Sequence, residues 1–235
     1  MIWLARQRTL FVHNPKCAGT SVHKVLTEAY PDAHIGWGRR YDAERDEIQD
    51  MAHLTPREAR AHFDLPLEYR SFGFVRDPYA RFVSAYLHFK RWNPHYESLT
   101  PEELAFDILD EARIRSDWKF IHFAPQYRFF YEGQCCVAWR VWKMENLPAA
   151  WHQLRNDLQL DADLPELNKL SPEWFEPMSE ALVGRINMLY ARDFALFGYA
   201  KRPGREPRAR RGFYSRYRKL WPELRNLDIS DASEI

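Results

Sequence analysis

Cysteine is scarce in this chain: three in 235 residues, at 17, 135 and 136. Two adjacent thiols and one distant one supply no disulfide framework, which leaves a reducing, cytoplasmic setting as the expectation. Long apolar runs are missing as well. The amino terminus lacks an apolar stretch long enough for a signal peptide or a membrane span, which favours the same compartment. No H-E-x-x-H or C-x-x-C spacing occurs, so no metal is expected. There is no internal repeat and no low-complexity tract, which excludes a repeat architecture. Net charge is almost absent, at +1. Apolar residues are not lacking: they make up 46% of the chain, with 15 Phe and 12 Tyr among them. That is ample for a core and excludes wholesale disorder. The length fits one α/β domain.

Residues 11–21, FVHNPKCAGTS, carry the most information. The β-prone run Thr9-Leu10-Phe11-Val12 feeds a loop containing Pro15, Lys16, Cys17, Ala18 and Gly19, and Thr20-Ser21 then open a helical pattern. Strand, loop and helix start together aim backbone N–H groups at one phosphate. Lys16 adds a point charge and Thr20 and Ser21 add hydroxyl donors. The order is not that of a Walker A loop, in which lysine follows the second glycine. Here Lys16 stands three residues before Gly19, and no upstream glycine occupies the Walker position. An ordinary strand-to-helix turn capped by Thr20 or Ser21 is the alternative.

Residues 71–86, SFGFVRDPYARFVSAY, form a second motif. Ser71 to Val75 reads as a strand, Asp77-Pro78 as a helix start, and Phe82, Val83, Tyr86 and Phe89 recur at helical spacing. Arg76 then ends a strand and Ser84 lies about two turns into the helix, at about 1.5 Å rise per residue. A guanidinium fork and a hydroxyl can converge on one phosphate. Arg81 offers a plain i,i+4 partner to Asp77.

The two motifs together resemble the sulfotransferase superfamily that uses 3′-phosphoadenosine 5′-phosphosulfate (PAPS), in its carbohydrate-sulfotransferase-like, family 2 form. PKCAGTS at 15–21 matches the 5′-phosphosulfate loop, with Cys17 in place of the usual Thr and Ala18 in place of a Gly. VRDPYARFVSAY at 75–86 matches the 3′-phosphate motif. HLTPRE at 53–58, QYRFFY at 126–131, WRVWKMENL at 139–147, LPELNKL at 164–170 and YARDFALFGY at 190–199 follow in the family's order, so the resemblance runs from about 9 to 200. It implies an α/β, three-layer P-loop-like fold with a central, mainly parallel sheet flanked by helices. It also implies transfer of a sulfuryl group from PAPS to an acceptor hydroxyl, in a carbohydrate by this branch. The donor would be held by Pro15, Lys16, Cys17, Ala18, Gly19, Thr20, Ser21, Arg76 and Ser84. Lys16 would also be catalytic, and the base would be His53, in the segment resembling H-x-T, or else His62. His23, one turn past Thr20, is a further candidate, and His13 is expected to be structural. Cys17, beside a helix start and a lysine, is expected to have a lowered pKa and to alkylate easily. A P-loop small-molecule kinase and a non-catalytic anion- or glycan-binding module on the same fold are the competing readings.

Strands are expected near 9–13, 71–75 and 135–142, and helices near 20–30, 78–91, 147–158 and 178–195. Short helices should start at Thr55 and Thr100 by S/T-P-x-E cap logic, and 31–52 should be loop with some helix. Trp139 and Trp142 read as core or sheet-face packing, and Glu145-Asn146 as a helix cap. Residues 1–200 form the α/β domain, and 201–235 a basic carboxy-terminal segment. Residues 201–225 hold ten Lys/Arg against two Glu. That segment is either a clamp over the donor or a flexible tail; a nucleic-acid role lacks any accompanying recognition fold. Oligomeric state is not encoded in any of these patterns.

Overall fold

A computed structural model of the chain describes residues 1–43, 46–93, 96, 98–110, 113–114, 117–165 and 178–205. In chain order its strands are β1 (Ile2–Leu4), β2 (Thr9–Val12), β3 (His34–Ile35), β4 (Arg39–Asp42), β5 (Glu47–Asp50), β6 (Arg70–Val75), β7 (Tyr131–Glu132), β8 (Cys135–Cys136) and β9 (Arg140–Lys143). Its helices are α1 (Gly19–Ala29), α2 (Pro56–Phe63), α3 (Pro78–Trp92), the single turn α4 (Pro101–Glu103), α5 (Leu147–Leu158), α6 (Glu180–Leu189) and α7 (Ala191–Phe197). The central sheet runs in the order β3-β1-β2-β6-β9. β2, β6 and β9 pair in parallel, while β1 lies antiparallel to both β2 and β3, so four of the five strands point one way.

Alternation along the strands builds two cores. Phe11, Phe72 and Phe74 point to one face and pack on Val22, Val25 and Leu26 of α1 and on Trp151, Leu154 and Leu158 of α5. Leu10, Val12 and Val75 point to the other, against Tyr79, Phe82 and Phe89 of α3, Ile186 of α6 and Phe194 of α7. Each fully buried Phe contributes roughly 1.5–3 kcal/mol by leaving water. The result is helix, sheet, helix: a mixed α/β molecule with a mostly parallel sheet covered on both faces. Gly73 is required where it stands, since a Cβ there would sit 2.8 Å from the Val12 carbonyl oxygen and 2.7 Å from the Phe130 ring. Its absence lets the Phe130 ring approach β6 closely. The register Val12↔Gly73 sets the carboxyl ends of β2 and β6 side by side.

Several local expectations hold. Thr55 and Thr100 each form a full capping box, and Asp77 caps α3 by accepting from the N–H groups of Tyr79 and Ala80. Others are corrected. Among the described residues of 31–52 there is no helix: β3 joins the sheet edge and β4 and β5 form a hairpin, in which Arg39 faces Asp50 across the pair. The strand expected over 135–142 is two, because the chain turns at left-handed Gly133 to form the β7–β8 hairpin before Arg140 enters the sheet. The helix expected over 178–195 breaks at Tyr190, whose φ of −114° and ψ of 26° leave the helical region. The helix begun at Thr100 gives one α turn and then widens into a π turn over Leu104–Ile108. β1, which the sequence did not signal, lies between β2 and β3. Residues 166–170 of the LPELNKL match, and 206–235 of the basic segment, fall outside the described residues. The start of that segment docks: Arg202 N–H donates to the Tyr79 hydroxyl at 2.7 Å, and its guanidinium lies 4.5 Å from that ring's centre. Among the described residues, no helix is long and apolar enough to cross a membrane.

Candidate active site

The loop after β2 closes through two left-handed residues that are not glycine, Lys16 (φ 65°) and Ala18 (φ 60°). Each such residue costs about 1–2 kcal/mol relative to the right-handed region. Alternating handedness turns successive N–H groups toward one concavity. α1 follows with Ala18 as N-cap, no side-chain cap and no acid in its first turn. Its first N–H groups therefore have no acceptor within the helix and present a partial positive charge. Thr20 is exposed and Ser21 buried at this end. Gly19 admits no side chain, because a Cβ would overlap Nε2 and Cδ2 of the buried His13 ring.

The second motif arrives beside it. Arg76 follows β6, and its Nη1 donates to the Lys16 carbonyl at 3.4 Å. Ser84, 7% exposed, lies on α3, and His88 stands one turn further along the same helix. Lys16 is half-buried, and its pKa falls to about 8, chiefly through burial and then through the nearby Arg76, Arg81 and Arg91 guanidinium groups. Among the described residues neither Lys16 nor Arg76 has a carboxylate partner. Cations drawn together at the uncapped end of a helix make a site that fits an anion, and two such positions on adjacent strands fit a ligand with two anionic groups.

Arg81 does not pair with Asp77. It is 1% exposed, and it donates to the carbonyls of Pro15 at 3.1 Å and Ala124 at 2.7 Å. Glu145, expected as a helix cap, instead accepts from the Asp77 N–H at 2.7 Å and the Tyr199 hydroxyl at 2.8 Å, and so fixes the turn that carries Arg76. Asn146 makes no side-chain cap. Trp142 packs on Phe72 and Phe74 as expected, whereas Trp139 is exposed and stacks between Arg70 and Arg140. Cys17 is the clearest correction: it is 2% exposed, and burial pushes its thiol up to about 12. The neighbouring cations act in the direction foreseen, but desolvation of a thiolate outweighs them.

The histidines fall into a row. His13 and His53 rings lie 4.7 Å apart, His53 and His122 5.3 Å, and His122 and His88 4.4 Å. Burial lowers the pKa of His53, and burial with mutual repulsion lowers those of His13, His122 and His88, so the row is neutral at pH 7. His53 Nδ1 contacts the His13 carbonyl oxygen at 2.7 Å. A carbonyl only accepts, so Nδ1 carries the proton and Nε2 holds the free lone pair. His23 packs against exposed Trp37 at 4.6 Å. His62 stands apart on α2 with its ring against Phe63 and is not brought to the row. His88 and His122 were not singled out in the sequence; only the i+4 spacing of His88 from Ser84 could have signalled one of them. Among the described residues no group of three or more His, Cys, Asp or Glu is disposed to hold a metal ion.

No curated protein and no solved structure matches this chain significantly. A protein-family model, described as the sulfotransferase family, matches residues 2–200.

Proposed function

The chain belongs to the sulfotransferase family, in its family 2 form, and we propose that it transfers a sulfuryl group from PAPS to a carbohydrate hydroxyl, in the cytoplasm and on a P-loop-like version of the α/β fold. One observation carries the reading: two cationic anchors without a carboxylate partner among the described residues, Lys16 and Arg76, sit at the adjacent carboxyl ends of β2 and β6 and touch through the Lys16 carbonyl. The N–H groups opening α1, with Thr20 and Ser21, hold the 5′-phosphate. Arg76 and Ser84 hold the 3′-phosphate and set the donor's register. When bound, the donor supplies a sulfuryl group on a phosphate leaving group.

The protein's own part is positional and electrostatic, as in phosphoryl transfer. Lys16 places its ammonium where negative charge grows on the oxygen of the breaking S–O bond. His53, held by the His13 carbonyl, takes the acceptor's proton at Nε2 as the new O–S bond forms. Burial of the imidazole row keeps His53 unprotonated and ready at neutral pH.

Calorimetric titration with 3′-phosphoadenosine 5′-phosphate, against ATP with Mg²⁺, tests the donor assignment. Binding of the bisphosphate and not of ATP–Mg²⁺ is expected, and the reverse sinks it. Lys16→Ala should lower kcat by about 10²–10³ on a carbohydrate acceptor while leaving the fold intact. His53→Ala should abolish the acid limb of the rate profile, and His62→Ala should leave it in place.

A further inference from the structure

Gln126 opens the second of two successive 3-10 segments, Trp118–Phe123 and Gln126–Phe129, and is wholly buried. Its side chain is closed off from solvent, yet both of its polar atoms bond to the two anion loops. Oε1 accepts from the Arg76 N–H at 2.9 Å, from Asn14 Nδ2 at 3.1 Å and from the Cys17 thiol at 3.4 Å. Nε2 donates to the Arg76 carbonyl at 2.9 Å. The carboxamide thus pairs with both backbone groups of Arg76, as a neighbouring strand would, while the same oxygen grips the first loop. Asn14 Nδ2 also donates to the Phe74 carbonyl at 2.8 Å, sewing that loop to the end of β6.

The turn that carries Gln126 is itself anchored. Asp193 of α7, fully buried, accepts from the N–H groups of Gln126 at 2.8 Å and Tyr127 at 2.9 Å. Arg81 spans from the Ala124 carbonyl to the Pro15 carbonyl. A segment some 50 residues from Arg76 and 112 from Asn14 in sequence is therefore the common support of both loops.

We propose that Gln126 is a positioning residue that fixes the spacing of the Lys16 loop and Arg76, so that the donor's two phosphate groups are bound as one unit rather than as two independent anions. This rests on the donor reading above. Two sites held at a fixed separation gain from each other, because the second contact becomes intramolecular; a loose separation forfeits that gain and leaves each contact as it was. Buried amides with all partners satisfied are rigid, and half-satisfied ones are not.

The test compares three ligands on wild type, Gln126→Ala and the volume-conserving Gln126→Met: adenosine 3′,5′-bisphosphate, adenosine 5′-monophosphate and adenosine 3′-monophosphate. In both variants the bisphosphate should bind about tenfold or more weakly, while each monophosphate stays within about threefold. A general loss of structure would instead weaken all three together, and that result overturns the proposal, as does unchanged bisphosphate affinity. Gln126→Met guards against the cavity that alanine leaves, and thermal unfolding with each titration reports whether the variant is folded. If neither variant folds, the same comparison on Asn14→Ala, which removes the donor to Gln126 without adding charge, decides the matter by the same criterion. Failure of wild type to bind the bisphosphate at all sinks the donor reading, and the coupling with it, whereas failure in the variants alone leaves that reading standing.

Discussion

Cys17 faces opposing influences. The guanidinium groups of Arg81 and Arg76 favour its thiolate, but the residue is enclosed by Asn14, Pro15 and Gln126, and desolvation prevails. At pH 8, iodoacetamide should therefore modify exposed Cys135 and Cys136 readily and Cys17 about a hundredfold more slowly or less. Peptide mass spectrometry over a time course reads this, and comparable labelling of all three would mean that the loop opens in solution. Ala18 shows the same conflict between identity and setting. The family pattern has glycine there, and the left-handed φ of 60° explains that preference. Both residues were legible as departures from a motif. What they meant was not, because burial and φ are properties of the folded loop.

At the scale of elements, α3 joins the proposed second anion site to the core. Asp77 closes its amino terminus through two N–H groups, Pro78 suits its first turn, and Tyr79, Phe82 and Phe89 bury its inner face. Asp77→Ala should cost about 1 kcal/mol of stability in urea unfolding. It should also weaken bisphosphate binding, since the turn it stabilises carries Arg76. A loss of stability with donor affinity untouched would separate the cap from the site. Caps, proline positions and apolar periodicity are written in four or five successive residues, which is why α2, α3 and α5 could be placed from sequence. The β4–β5 hairpin, β1 and the break at Tyr190 could not, because pairing partners and helix packing decide them.

At the scale of the molecule, charge and histidine burial combine into a pH response. As the proposed base His53 would act only when unprotonated, and burial holds its pKa below 6.5, so kcat/KM should rise through an acid limb lying below that value. In its proposed role Lys16 must be protonated, and its free-protein pKa is about 8, so the alkaline limb should fall near pH 8. Lys16→Arg should lose that limb, as arginine stays charged; a limb that persists would belong to another group. Stability moves the other way: the lysine's folded pKa lies below its unfolded one, so folding penalises the charged form fully below about pH 8, and the penalty fades toward 10.5. By itself the sequence determined the two phosphate-type motifs, the caps that start α2 and α3, the alternation that buries the sheet on two faces, and the family. These are local patterns, set by which neighbours a residue has along the chain. The tertiary structure alone decided that Arg81 turns inward, that Glu145 and Asp193 anchor turns, that four histidines form a row with His62 left out, and that one buried glutamine joins the two loops. Such roles depend on partners many tens of residues away, and a polar side chain carries no local mark of whether water or a distant carbonyl will satisfy it.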